Sequence, residues 1–574
     1  VSLARVRRRE LGPLEGLPAE LNPVLRRVYS ARGIIDAGSL SLKLQDLLPP
    51  TGLQGLERAA ELLADAVRHG RRIVICGDYD ADGATSSALA ISALRAFGHS
   101  NVDYVVPDRF LMGYGLSTAL VELARERGAE LLLTVDNGIS SLAGVAAARA
   151  AGLQVVITDH HLAGEALPEA DAIVNPNQPG DSFASKHLAG VGVIFYVMAA
   201  LRQRLRALDW FAERPEPAMA DYLDLVALGT VADVVRLDRN NRVLVAGGLA
   251  RIRAGRARPG IIALLEVAGR DPAGTRSTDL GFVVGPRLNA AGRLEDMGQG
   301  IALLLETDAA QARERAARLD ALNRERRSIE RQMVEDADLM LADTDSEAVG
   351  VCVFDAGWHE GVVGLVASRV KERLHRPVVA FAPAQEDGWL KGSARSIPGL
   401  HLRDALAAVD ARHPGLIARF GGHAMAAGLS LRVDDLLDFS AAFDAICRQW
   451  IDQSALLRLV ETDGELDARE LGLETAAALE HAGPWGQGFP EPCFDGCFVV
   501  EELRVVGEHH AKYRLRSTDG SSLKAIHFNG AETAAAVGDS VELVYKLVVN
   551  RWRGDSSAEL MIEQLRVVPR SGAG

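Results

Sequence analysis

Asp78, Asp80 and Asp82 alternate directly behind the apolar run Ile73-Val74-Ile75-Cys76, and Gly83 follows them. Three like charges this close repel, and a fold tolerates such crowding when a cation sits among them. The stretch is therefore a candidate metal site; the alternative is a polar strand-to-helix loop with an aspartate N-cap. Two later apolar runs end the same way, in Asp136-Asn137-Gly138 and in Asp159-His160-His161. One acid behind a strand is often a cap. Three such strand ends, one carrying two histidines, supply carboxylate and imidazole together. That donor set suits Mn²⁺ or Mg²⁺ better than a metal that prefers thiolate. Asp233 closes the apolar segment Ala227-Leu228-Gly229-Thr230-Val231-Ala232 and serves equally well as a cap or a ligand.

The elements that would position these groups alternate. Apolar periodicity predicts helices over 56–69, 85–97, 118–127 and 142–151, with strands over 73–76, 102–106, 131–135 and 155–158. Such a βαβ series implies a doubly wound parallel sheet, which binds ligands at the carboxyl ends of its strands. A continuous charged helix is predicted over 309–342, and a second α/β segment follows. Two glycine-rich stretches lie in that segment, Lys391-Gly392-Ser393-Ala394-Arg395-Ser396 and Phe420-Gly421-Gly422-His423-Ala424-Met425-Ala426-Ala427-Gly428. Small residues let backbone N–H groups approach an anion that Arg395 and His423 could meet; tight helix–strand packing explains them equally well.

From Cys497 onward, five short alternating strands predict a small β-barrel of the OB type. Cations and aromatics interleave there, as single-strand binding needs. Phe528 and Tyr545 are expected to fill the barrel, and Trp552, flanked by arginines, is the better candidate for stacking on a base.

With 574 residues the chain is multidomain. The expected segments are an irregular arm over 1–55, an α/β domain carrying the clustered acids over 56–306, a connecting helix over 307–345, a second α/β domain over 346–455 and the barrel region over 456–574. The first residues carry four arginines without the apolar run of a secretory leader, and no stretch is apolar enough to span a bilayer. Five scattered cysteines suit a reducing cytoplasm. A net charge of −14 argues against coating nucleic acid by charge alone, but it leaves room for a local basic groove.

The ordered set Asp78–Gly83, Val135–Gly138, Thr158–His161 and Val231–Asp233 resembles the DHH phosphoesterase superfamily. Within it, the chain is similar to the RecJ family of bacterial single-strand-specific 5′→3′ exonucleases. The similarity continues through Gly285-Pro286-Arg287-Leu288-Asn289-Ala290-Ala291-Gly292-Arg293, Gly357-Trp358-His359-Glu360-Gly361 and Gly421-Gly422-His423, and it covers nearly the whole chain. The resemblance implies a multidomain α/β protein: a parallel-sheet DHH domain, a long connecting helix, a DHH-associated α/β domain and an OB-type barrel.

The same resemblance implies two divalent ions, Mn²⁺ or Mg²⁺. Asp136 would bridge them, Asp80, Asp82, His160 and Asp233 would be further direct ligands, and Asp78 and Asp159 auxiliary ones. His161 and Arg109 would face the scissile phosphate. Asn289, Arg293, Ser393, Arg395 and His423 would hold the strand end. Related members carry a histidine near the start of the first motif, where this chain has Cys76. The expected substrate is single-stranded DNA, degraded to 5′-mononucleotides in repair and recombination. The expected partners are a single-strand-binding protein and a RecQ-type helicase, with the enzyme a cytoplasmic monomer. Two alternatives stand beside this reading. A phosphoesterase of short oligonucleotides, cyclic dinucleotides or pyrophosphate would not need the barrel. A non-enzymatic scaffold would not need intact acids.

Overall fold

The computed structural model describes residues 5–109, 112–342, 348–552 and 555–568, apart from the side chain of Trp552. The chain forms two compact units. One comprises Lys43–Leu456 with Gly486–Gly488; the other comprises Val1–Leu42, Leu457–Trp485 and Phe489–Gly574.

The larger unit is built on a five-stranded, wholly parallel sheet. Its spatial order is Val102–Val105, Ile73–Cys76, Leu131–Val135, Gln154–Thr158, Ala172–Val174. The Ile73–Cys76 and Leu131–Val135 strands are buried at every residue, which is why they read as unbroken apolar runs. The chain order reverses between these two strands. A crevice opens at such a switch point, beyond the carboxyl ends. Asp78, Asp80 and Asp82 leave one strand there and Asp136 leaves the other.

A second, mixed sheet runs Arg419–Gly422, Ala426–Arg432, Trp389–Arg395, Val378–Pro383, Val351–Phe354. Alternation along Val378–Pro383 divides its two faces. Val378, Ala380 and Ala382 pack with Val363, Val366 and Val370 of one helix, while Val379 and Phe381 pack with Leu406, Phe439 and Phe443 on the other side. The helix Ala309–Ala342 is 34 residues long, about 50 Å. Its buried positions, among them Ala312, Ala316, Leu319, Asn323, Arg326, Glu330, Met333 and Ala337, recur every three or four residues. Met333 and Ala337 enter the core of the second sheet.

In the smaller unit, Phe494–Val506, His510–Arg516, Ser522–His527, Asp555–Val568 and Ser540–Trp552 close into a barrel. Tyr545 fills it as expected, buried against Phe498. Phe528 does not: it lies just past a strand end, 51% exposed, with its edge toward His510. The side chain of Trp552 lies outside the described residues. Several barrel cations are paired, Lys546 with Glu491 and Glu563, Arg514 with Glu502 and Arg551 with Glu480.

The N-terminal segment is not an irregular arm. Arg5–Arg8 pairs in parallel with Leu459–Thr462, and Pro23–Ser30 is a helix capped by Asn22. These elements are too short and too arginine-rich to show a period. The helix expected from Thr85 begins at Ala81, inside the acidic loop, because Asp80 caps it. Ala172–Val174, only three residues long, was not legible as a strand.

Arg32 anchors the N-terminal segment to its unit. Its guanidinium makes a two-pronged ion pair with Asp463 at 2.6 and 2.9 Å, donates to the Pro490 carbonyl, and lies over the Trp485 ring. Both charged side chains are almost fully buried. Arg32→Met leaves the Asp463 charge buried without its partner, at a cost of about 3–5 kcal/mol. Chemical denaturation of the full chain should show that loss in the transition belonging to this unit. A shift below about 1 kcal/mol would mean that the pair is dispensable.

Candidate metal centre

The acids of the switch point converge. Ligand atoms of Asp82, His160 and Asp233 lie within 4.8 Å of one another, as do those of Asp78, Asp80 and Asp136 and those of Asp136, His160 and His161. His160 Nε2 is 3.1 Å from Asp136 Oδ1 and 3.5 Å from Asp233 Oδ2, yet it makes a hydrogen bond to neither. These three atoms and Asp78 Oδ1 are buried without a hydrogen-bond partner among the described residues. Buried polar atoms are normally satisfied. Four orphans facing one another, three of them carboxylate oxygens and one an imidazole nitrogen, match the ligand chemistry of a hard divalent cation. The residues present therefore fit Mn²⁺ or Mg²⁺.

Local structure holds each group in place. Asp80 Oδ1 accepts the amides of Asp82 and Gly83, so the capping and metal readings of this acid are compatible. Asp82 accepts from the amides of Gly190 and Val191 at the start of the helix Gly190–Ala207, whose dipole favours a negative charge there. Asp136 has φ +62°, a conformation aspartate tolerates better than most residues. Asn137 ties the loop down by donating to the Cys76 and Val135 carbonyls. Gly190 passes so close that a Cβ there would lie 2.6 Å from the Asp136 Cβ. Asp233 caps the end of Leu223–Ala232 with its backbone and turns its carboxylate toward His160.

The electrostatics follow from burial. Asp78, Asp82 and Asp136 are buried. Burial, then the charge of Asp80, pushes the Asp82 carboxyl up to about 7. The same two causes raise Asp78. Burial and then Asp82 raise Asp136 and Asp233 well above the carboxylate range. His160 is driven down to about 3 by burial and by His161, so it is neutral and able to ligate.

Asp159 differs from the other acids. Its oxygens accept from the amides of Ile139, His160 and His161, and Oδ1 is 2.8 Å from His161 Nδ1. Burial opposes its charge, but these bonds and His161 hold its carboxyl below the usual range. The geometry makes it an orienting partner of His161 and gives no support to its reading as an auxiliary ligand. Cys76 also turns away from the acids. It packs with Val74, Val105, Leu132 and Ile157, and burial pushes its thiol up to about 12.

The expected substrate residues of this unit gather nearby. Asn289 accepts the Ala81 amide at 2.7 Å and so braces the acidic loop. Arg109 lies over the Tyr79 ring, Arg293 donates to the Gly361 carbonyl, and Arg395 donates to the Ala394 carbonyl and Ser393 Oγ. Burial, then Arg109, Arg326 and Arg395, lowers Arg293 to about 9. A buried arginine whose charge its neighbouring arginines oppose is poised for an anion. His423 stacks on His161 with ring centroids 6.4 Å apart. Tyr114 was not anticipated from sequence: its hydroxyl is 3.0 Å from His161 Nδ1 and donates to the Asp136 carbonyl. Its setting in Gly113-Tyr114-Gly115 behind a strand was the available signal.

Family models match three segments: the DHH family N-terminal domain at residues 72–230, the DHHA1 domain at 346–449 and the RecJ OB domain at 462–564. The chain is 51% identical over 571 residues to the single-stranded-DNA-specific exonuclease RecJ of Escherichia coli, covering 98% of this chain and 99% of that protein. It is 34% identical to the RecJ of Bacillus subtilis, covering 95% of this chain and 68% of that one. The solved structure of Thermus thermophilus RecJ with Mn²⁺ superposes with a TM-score of 0.82 at 32% identity, covering 98% of this chain and 80% of that one. The same protein with Mg²⁺ gives 0.76. The chain belongs to the RecJ family of DHH-type proteins.

Proposed function

We propose that this chain is a metal-dependent exonuclease that degrades single-stranded DNA 5′→3′ to 5′-mononucleotides, in DNA repair and recombination. The observation that carries the reading is the set of buried, unpartnered ligand atoms of Asp78, Asp136, His160 and Asp233. Asp80, Asp82, Asp136, His160 and Asp233 would hold the cations, with Asp136 shared and Asp78 auxiliary. Divalent cations held there supply Lewis acidity and a water acidic enough to attack a phosphodiester near neutral pH. His161, oriented by Asp159 and Tyr114, faces the scissile phosphate. Arg109, Arg293, Ser393, Arg395 and His423 hold the strand end, with the terminal phosphate on the arginines.

The proposed functional division is catalytic residues 56–306, a connecting helix over 307–345, an associated domain over 346–455 and a strand-binding region over 456–574, with Trp552 as a stacking residue. The enzyme works as a cytoplasmic monomer with a single-strand-binding protein and a RecQ-type helicase. Among the described residues no helix is long and apolar enough to cross a membrane.

A labelled single strand, the matching duplex, a dinucleotide and pyrophosphate, each with Mn²⁺, Mg²⁺ or EDTA, test this reading. Cleavage should be confined to the single strand and abolished by EDTA, and Asp136→Ala should lower it by on the order of a thousandfold. Equal cleavage of the duplex, or pyrophosphate as the better substrate, would contradict it.

Asp159→Asn should lower kcat about 10–100-fold while Mn²⁺ affinity, by calorimetry, stays within a few fold. Affinity falling in parallel with kcat would make Asp159 a ligand after all. Arg395→Ala should raise KM by about tenfold or more for a 5′-phosphorylated end and leave a 5′-hydroxyl end unchanged. Equal effects on both ends would remove the terminal phosphate from this site.

A further inference from the structure

A separate cavity of about 710 Å³ opens in the larger unit, within the range of small-ligand sites. It shares Tyr79 and Arg109 with the surroundings of the metal centre. Tyr79 stands between the two, its carbonyl tight against Gly292, where a Cβ would lie 2.0 Å away. The other walls are Tyr104, Pro107, Leu123, Met297 and Ala302. The cavity is thus lined by rings and by apolar side chains.

Its polar groups are mostly acceptors. Asp103, Asp108, Glu295 and Asp296 line it. Of the lining cations, Arg127 is engaged with Asp103 and Arg315 with Glu306, while Arg109 lies over the Tyr79 ring at the edge nearest the metal centre. The acids disfavour a phosphate in the interior, and Arg109 favours one at that edge. A hollow with aromatic walls, carboxylate acceptors and a cation at its mouth suits an uncharged heteroaromatic ring that carries N–H groups and is tethered to phosphate. Carboxylates accept base N–H donors, and ring faces accept any base.

We propose that this cavity receives the base of the strand's 5′-terminal nucleotide while the neighbouring arginines hold its phosphate. The subsite rests on the exonuclease reading and adds a place for the base to it. Every terminal nucleotide presents a face to the rings, so the subsite grips the end without choosing a sequence.

The test compares 5′-phosphorylated single strands whose first nucleotide is either intact or a tetrahydrofuran abasic residue. The full chain is used with Mn²⁺, and kcat/KM is measured for the first cleavage. The wild type should prefer the intact end by about tenfold. Ala302→Trp, which fills the cavity, should lower kcat/KM on the intact end by a similar factor and erase the preference. Equal kcat/KM for the two ends in the wild type would overturn the subsite while leaving the exonuclease standing, and that comparison needs no variant to fold. A wild-type preference that survives in folded Ala302→Trp would overturn it too, since the base would then be gripped elsewhere. Cleavage of neither end would overturn the exonuclease reading itself.

Discussion

Charge crowding at the switch point of the parallel sheet is the constraint around which the catalytic unit is built. Asp78, Asp82 and Asp136 are buried, Asp80 and Asp233 partly so, and each clusters with His160 or with Asp136. Burial and mutual repulsion push Asp78, Asp82, Asp136 and Asp233 toward protonation. An isolated buried charge of this kind is expensive. Much of the surrounding structure holds the acids in register all the same. The helix starting at Gly190 aims two amides at Asp82, and Asn137 and Asn289 pin the loops that carry Asp136 and Asp80. Scaffolding that opposes the preference of its own side chains makes sense when a cation supplies the missing compensation.

The second sheet adds the opposite charge. Gly364 approaches Ser393 Oγ and Arg395, where a Cβ would lie 2.8 and 3.0 Å away, and the Gly361 carbonyl receives Arg293. His423 reaches His161 from that same sheet's loop. The two sheets therefore share one site, and the helix Ala309–Ala342 enters the core of the second. Negative ligands on one side and arginines on the other form a gradient along which a phosphodiester chain can lie.

Much of this was legible in the sequence. The acids and histidines stand directly behind buried strands, where an unbroken apolar run is unambiguous, and the helix over 309–342 was readable because nothing interrupts it. The exceptions have specific physical causes. Asp159 has the same residue type and strand-end position as the ligands, and only its three backbone partners reveal that it orients His161. Asn289 sits in a motif that suggests substrate, yet its side chain satisfies an amide more than two hundred positions away. The choice between an anion cradle and tight packing for the glycine-rich stretches could not be made from residue types. Register decides it: Gly428 lies opposite Ser393 on adjacent strands, so close packing and the placement of Ser393 and Arg395 are one feature. Phe528 looked like barrel filling, because an aromatic at a strand end carries no sign of which face it takes.

The crowded acids fit divalent cations, and the proposed function makes Asp136 common to two of them. Counting bound Mn²⁺ by electron paramagnetic resonance in the wild type and in Asp136→Asn tests it most directly. Two ions per chain are expected in the wild type, with loss of both, or nearly so, in the variant. Two ions retained at unchanged affinity in Asp136→Asn, or none bound by the wild type, would contradict it.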